Sequence, residues 1–363
     1  MKQTANKTVR TVVYSIALVL IGIFLTWGII YKFPAIFQET ITKIEKDVTV
    51  TDEGIADAVE KVYNSVIVVS TYKKNNLYAS GSGFIYKIED GDSYIITNHH
   101  VISEGDAFKI TYIDGDVVDA ELLGGDEYAD IAVLKVKSKD GISAVSIGAT
   151  SKLRVGDTTF TVGAPLDNVY SWTVTRGIIS GKERLVEVSD YIMNVLQTDA
   201  AVNSGNSGGP LCNSNGDVIG VISAKISANG VEGMGFAIPI ETAIEKAEEI
   251  IKGEQSSYPY LGISMLSVSD ARSHIQYYRY LSNYNITSGV LICDVEKNSS
   301  AFKSGLEAGD VITEINGKKI SNVAYLRYEL YKYDVGDKIK IKILRDGKEK
   351  TISLKLVSNL KTT

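Results

Sequence analysis

The chain has 363 residues, 44% of them hydrophobic, which is too long for one ordinary core and too apolar for disorder throughout, so two or three domains are expected. With 38 Lys and Arg against 44 Asp and Glu the formal charge is −6, which offers no basic field for a phosphate backbone and excludes nucleic acid as an expected partner. Two cysteines, Cys212 and Cys293, lie 81 residues apart without a C-x-x-C and build neither a disulfide scaffold nor a zinc cluster, and three histidines (His99, His100, His274) confine imidazole chemistry to few positions.

From the N-terminus, residues 1–10 carry Lys2, Lys7 and Arg10 without an acid, and residues 11–31 form 21 uncharged, mostly apolar residues. At ~1.5 Å rise per residue this stretch spans ~30 Å of hydrocarbon as one helix. The charge asymmetry predicts an uncleaved signal anchor with a cytoplasmic N-terminus and the remainder of the chain extracytoplasmic, Trp27 and Tyr31 marking the outer interface. The stretch exceeds the usual apolar length of a cleaved signal peptide and no A-x-A-like site follows. Residues 32–52 turn polar and read as a stalk.

Asp52 is the expected N-cap of a short helix bearing Ile55, Val59 and Val62 at helical spacing. Short β-rich runs punctuated by Gly, Asn and Asp follow to about Pro239: VIVVS, SGFIY, SYIITN, FKITYI, IAVLKV, TFTVG, VTRGIISG, NVLQTD, VIGVISA and GMGFAIP. Many short strands with turn signals predict a mostly β fold, a sandwich or pair of barrels, over residues 53–253. The amphipathic IETAIEKAEEIIKG closes it, with Ile240, Ala243, Ile244, Ala247 and Ile251 on one face. Residues 254–257 read as a linker, residues 258–357 as a second unit with its own strands and a helix near 322–333, and residues 358–363 as a tail.

The chemistry concentrates at Gly205-Asn206-Ser207-Gly208-Gly209-Pro210, where flanking glycines let the backbone turn sharply and present a hydroxyl. A serine hydroxyl needs an imidazole to take its proton and a carboxylate to orient that imidazole. His99 and His100 end the run SYIITN, and Asp130 opens the apolar strand IAVLKV. Taken with His100, the order His, Asp, Ser at spacings of 30 and 77 residues is that of double-barrel serine proteases, not of subtilisins or α/β-hydrolases.

Through Thr97-Asn98-His99-His100-Val101, Asp130-Ile131-Ala132-Val133-Leu134 and Gln197-Thr198-Asp199-Ala200-Ala201 running into Gly205-Asn206-Ser207-Gly208-Gly209-Pro210, residues 50–357 resemble the HtrA (Deg) family of trypsin-like serine proteases. The resemblance implies a double β-barrel with His100 as general base, Asp130 as its orienter and Ser207 as nucleophile, T-N-x-H-V selecting His100 over His99. It also implies an oxyanion hole formed by the N–H groups of Gly205 and Ser207. Six residues before the nucleophile, where tryptic enzymes carry Asp, stands Ala201, so an apolar pocket for small aliphatic side chains is expected, walled by Ser223, Ala224, Lys225 and Ile226. Ser204 replaces the proline common in the family's N-P-G-N-S-G, which loosens this loop.

In the last unit, Gly305-Leu306-Glu307-Ala308-Gly309-Asp310-Val311-Ile312-Thr313-Glu314-Ile315-Asn316-Gly317 resembles a PDZ domain, with Asn316-Gly317 suited to a tight hairpin turn. Tyr260-Leu261-Gly262-Ile263 matches the PDZ carboxylate loop, and a helix with Val323, Leu326, Leu330 and Tyr331 is the groove's other wall. Gly81-Ser82-Gly83 lacks the rest of a nucleotide fingerprint and reads as strand glycines, and His274 as a surface helix residue. No cofactor or metal is called for. The expectation is a membrane-anchored extracytoplasmic serine endopeptidase that degrades misfolded polypeptides, binds peptide C-termini at its PDZ groove and assembles as a homotrimer like its family. A non-proteolytic chaperone or scaffold, and a dedicated regulatory protease of one envelope signalling protein, are the rival readings.

Overall fold

Six antiparallel strands close a first barrel: β1 (Val66–Lys73), β2 (Asn76–Glu89), β3 (Asp92–Thr97), β4 (Ala107–Thr111), β5 (Val117–Asp126) and β6 (Ile131–Lys137), in the order β1-β2-β3-β6-β5-β4. A second follows the order β10-β11-β12-β9-β8-β7, built from β7 (Thr158–Gly163), β8 (Thr173–Val188), β9 (Tyr191–Thr198), β10 (Pro210–Asn213), β11 (Val218–Ile222) and β12 (Gly235–Pro239). The computed structural model describes residues 14, 17–24, 52–163, 172–188, 190–203, 205–226, 233–254, 256–281 and 285–359.

The unbroken apolar runs have a physical reason, because successive side chains of a strand face opposite sides and here both sides are covered. Ile67, Val69, Ile85, Ile95, Ile110 and Leu134 fill the first barrel, while Val66, Phe84, Ile96, Ile131 and Val133 turn outward to meet Phe160, Val162 and Val218 between the barrels. Leu153, Ile179, Leu196, Leu211 and Ile219 fill the second barrel. The helix Ile240–Ile251 buries Ile240, Ala243, Ala247 and Ile250 against the seam, with Ile244 and Ile251 half-buried. Cys212 is fully buried and Cys293 half-buried, both free, and burial pushes the Cys212 thiol far above its usual range.

The second unit is an α+β domain whose sheet runs β14 (Ile263–Ser267), β15 (Val290–Val295), β16 (Val311–Ile315), β18 (Lys338–Arg345) and β19 (Lys348–Lys355), with β17 (Lys318–Lys319) paired to β16. Asn316 and Gly317 take φ +46° and +82°, the tight turn expected between β16 and β17. β13 (Pro259–Tyr260) pairs with β20 (Val357–Ser358), and the helix Val323–Leu330 packs Val323, Leu326 and Leu330 into the core. Residues 55–363 form one compact unit.

Several expectations are corrected. Asp52 is the first helical residue of Asp52–Tyr63 rather than a flanking cap. His99 and His100 do not extend β3 but open a short helix, His99–Ile102, and residues 224–226 of VIGVISA and beyond fold as a 3₁₀ turn. His274 is exposed, as expected, but lies between two short helices. Most of 11–31, all of 32–51 and Ser204 lie outside the described residues. Residues 17–24 are helical, and among the described residues no helix is long and apolar enough to cross a membrane.

Candidate active site

Every chemistry-bearing residue sits at a strand end on the seam between the barrels. His100 lies on the helical turn after β3, Asp130 immediately before β6, Ser207 before β10, and Ser223 just after β11. Asp130 has φ +54°, a left-handed conformation that turns its side chain back toward the end of β3. Its carboxylate is buried and accepts from His100 Nδ1 at 2.9 Å (Oδ1) and 2.8 Å (Oδ2), and from the His100 backbone N–H at 3.0 Å. Asn98 Nδ2 donates to the Asp130 carbonyl at 2.9 Å, and Ser223 Oγ donates to Oδ2 at 2.9 Å. The imidazole is thereby fixed with Nδ1 toward the carboxylate and its other nitrogen left for proton transfer.

Ser207 is held by backbone contacts reaching across both barrels. Its carbonyl accepts from Ser82 N at 2.8 Å, Ser82 Oγ donates to the Gly205 carbonyl at 2.7 Å, and Gly208 N donates to the Ile222 carbonyl at 2.8 Å. Gly205 takes φ +105°, a conformation that favours glycine, and among the described residues neither its N–H nor that of Ser207 has a protein acceptor. A Cβ at Gly81 would stand 2.8 Å from Val101 Cγ2 and 3.0 Å from the Ser207 carbonyl, so this strand glycine is a close-approach position beneath the nucleophile loop. Asn206 is buried, its Nδ2 donating to the Ala201 carbonyl at 3.4 Å.

The Ser207 hydroxyl accepts from the backbone N–H of Ala224 at 3.0 Å, and among the described residues no hydrogen bond joins it to His100. Ser223 and Ala224 therefore link the two halves of the site, one bonded to the carboxylate and the other to the serine. The Ser223 side chain is fully buried, its hydroxyl turned to Asp130. Ala224 is half-buried, Ile226 buried, and Lys225 exposed with its ammonium 5.6 Å from the Tyr191 ring centre. Ala201 is exposed, its carbonyl held by Thr175 Oγ1 at 2.9 Å.

His99 points elsewhere, packing against Gly125, and burial lowers its imidazole below the ordinary histidine value despite the nearby charges of Asp130, Glu127 and Asp126. Sequence reasoning missed Ser82, Asn98 and the supporting role of Ser223. Their types gave no warning, because each acts only through partners 32 or more residues away in the chain.

In the second unit, Tyr260, Leu261, Gly262 and Ile263 line a cavity of about 100 Å³ together with Leu326, Leu330 and Tyr331, whereas Val323 is buried in the core instead. The Leu261 and Gly262 carbonyls accept from Ala301 N (3.0 Å) and Glu296 N (2.9 Å), and among the described residues their N–H groups have no protein acceptor. Gly262 has φ +78° and abuts Ser299, which leaves no room for a Cβ.

Residues 81–221 match the model of a trypsin-like peptidase domain and residues 259–356 that of a PDZ domain. A relative from Bacillus subtilis (strain 168), "Serine protease Do-like HtrA", is 43% identical over 283 residues; these cover 76% of this chain and 63% of the relative, less than two thirds of its length. Another from the same organism, "Serine protease Do-like HtrB", is 37% identical over 330 residues, covering 85% of this chain and 72% of the relative. Among solved structures, the serine endoprotease from Yersinia pestis has a TM-score of 0.62 at 27% identity, covering 85% of this chain and 98% of that chain. The HtrA-type protease AlgW with decapeptide gives 0.63 at 28% identity, covering 85% and 99%. The paired barrels, the PDZ unit and these relatives together place the chain in the HtrA family of trypsin-like serine endopeptidases.

Proposed function

We propose that the chain hydrolyses peptide bonds through an acyl-enzyme on Ser207, acting on misfolded or damaged polypeptides outside the cytoplasm. The observation that carries this reading is the pairing of His100 with the buried Asp130, joined to Ser207 through the Ser223–Ala224 dipeptide. For attack, the hydroxyl leaves Ala224 N–H and turns to the free nitrogen of His100, which takes its proton and returns it to the leaving amine. Water then releases the acyl product by the same route. The N–H groups of Gly205 and Ser207 are the oxyanion donors of this proposal. Ala201, with no charge to offer a basic side chain, favours small aliphatic residues before the scissile bond.

Residues 11–31 are proposed as the membrane anchor, supported by 21 consecutive uncharged residues and the basic N-terminal flank. The loop Tyr260–Ile263 is proposed to receive peptide C-termini that extend β14, supported by its unengaged N–H groups. A homotrimer is proposed from the family resemblance. A fluorophosphonate probe, applied with a peptide ligand present, tests the reading: wild type labels at Ser207 and Ser207→Ala does not. Failure of wild type to label alongside intact peptide binding would favour a non-proteolytic scaffold.

A further inference from the structure

We infer that Tyr128, a residue of the protease barrels, forms a wall of the PDZ peptide groove and restricts the ligand's last residue to a small aliphatic side chain; this rests on the groove reading proposed above. Tyr128 follows β5 in a turn where Asp126 Oδ1 accepts the backbone N–H groups of Tyr128 and Ala129, each at 2.9 Å. The other oxygen of Asp126 accepts the hydroxyl of Tyr258, at the entrance to the PDZ unit. The Tyr128 ring meets three others edge-on, with centroid separations of 4.7 Å to Tyr258, 5.2 Å to Tyr331 and 5.7 Å to Tyr191. A capped turn and three ring contacts hold it in place.

The cavity beside the carboxylate loop is lined by Tyr128 together with Gly262, Met265, Leu326, Leu330 and Tyr331. Its volume is about 100 Å³. An apolar cavity of about 150 Å³ accommodates benzene. The space here therefore suits an aliphatic side chain of three or four carbons and is too small for an aromatic ring unless Tyr128 moves. The lining is apolar apart from Arg327, whose guanidinium stands 3.7 Å from Asp190, the phenol groups and the backbone of the loop, so the anchor assigned to the terminal carboxylate is the pair of N–H groups at Leu261 and Gly262. An ordinary PDZ groove would be closed by its own strand and helix. Here a residue two positions before Asp130 completes it.

The test uses the full chain carrying Ser207→Ala, which prevents cleavage, and acetylated hexapeptides identical except for a last residue of Val or Phe. Binding is measured by titration calorimetry, with peptide amides as controls. The expected result is that the Val acid binds about tenfold tighter than the Phe acid. Adding Tyr128→Ala brings the two within about twofold, while Tyr128→Phe preserves the discrimination. Should Tyr128→Ala fail to fold, Tyr128→Trp narrows the cavity and is expected to weaken Val binding relative to an Ala-terminated peptide. Unchanged Val-to-Phe discrimination in a folded Tyr128→Ala, or unchanged Val-to-Ala discrimination in Tyr128→Trp, with amides still rejected, would overturn the role of Tyr128 and leave the groove intact. Acids that do not bind at all, or amides that bind equally, would overturn the groove reading and the inference with it.

Discussion

Ser223 and Asp130 lie 93 residues apart in the chain yet share a 2.9 Å hydrogen bond, hydroxyl to carboxylate, where both side chains are buried. Ser223→Ala removes one of the two donors to that carboxylate oxygen, leaving His100 Nδ1 as the other. A hydrogen bond to a charged group contributes about 1.5–3 kcal/mol. The variant is expected to lose roughly this much stability and to cut kcat/KM about tenfold or more, because the orientation of His100 depends on the same carboxylate. Chemical denaturation and peptide hydrolysis measured side by side check both halves.

Gly81→Ala tests the floor of the nucleophile loop. The new Cβ would meet Val101 at 2.8 Å and the Ser207 carbonyl at 3.0 Å, so either the valine or the loop must yield. Overpacking of this kind costs about 1–3 kcal/mol. Activity is expected to fall more than stability, since the carbonyl that is pressed belongs to Ser207, the proposed nucleophile. A thermal melt with kinetics on the same sample decides, and equal activity to wild type would contradict the assignment.

His99 gives a pH dependence separate from catalysis. Burial lowers its pKa in the folded state, so near the ordinary value of about 6.5 the unfolded chain binds a proton that the folded chain resists. Stability therefore falls as pH drops through about 6.5 and is unaffected by His99 well above it. His99→Gln is expected to flatten the fall between about pH 7.5 and pH 5. Urea unfolding at a series of pH values measures the slope, and a variant as steep as wild type would rule His99 out.

Ala201→Asp asks whether the pocket reads charge. The Ala201 carbonyl is fixed by Thr175 and Asn206, so the substitution changes the side chain in a backbone frame already held. Cleavage after Lys or Arg is expected to rise against cleavage after Val, as a carboxylate supplies the missing partner. Matched peptide substrates give the ratio. A wild-type enzyme already cutting chiefly after Arg would show that another residue sets specificity.

What was legible in the chain follows its physics. The strands around Ile67, Ile95 and Val133 announce themselves because both their faces are covered and their apolar residues run consecutively instead of alternating. β5 did not, since much of Val117–Asp126 is exposed and carries Asp119, Glu121 and two glycines. β10, only four residues long, hides directly behind the nucleophile motif. The residues of the proposed triad were legible from residue type and order. The partners that orient it were not, because Ser82, Asn98 and Ser223 are ordinary polar residues until folding brings remote segments beside them. The tyrosines at 128, 258 and 331 are likewise unremarkable in sequence and acquire meaning only as a cluster joining the two domains.

That junction contains two kinds of polar contact whose energies should differ. Arg327 stands 3.7 Å from Asp190, and Asn322 Nδ2 donates to Glu187 at 3.0 Å, but Glu187 near the end of β8 and Asp190 on the turn after it are both exposed. Surface pairs of this sort contribute about 0–1 kcal/mol. Tyr258, by contrast, donates to an Asp126 carboxylate that is only 3% exposed and also caps the turn bearing Tyr128. Tyr258→Phe removes that donor while keeping the ring and its packing, so the loss is close to the cost of one unpaired buried acceptor, about 1–3 kcal/mol. Arg327→Ala is expected to change the melting temperature by no more than a degree or two, whereas Tyr258→Phe lowers it by several and speeds proteolytic nicking between the domains. The reverse ranking in thermal melts and limited proteolysis would mean that the surface ions, not the buried tyrosine–aspartate contact, hold the domains together.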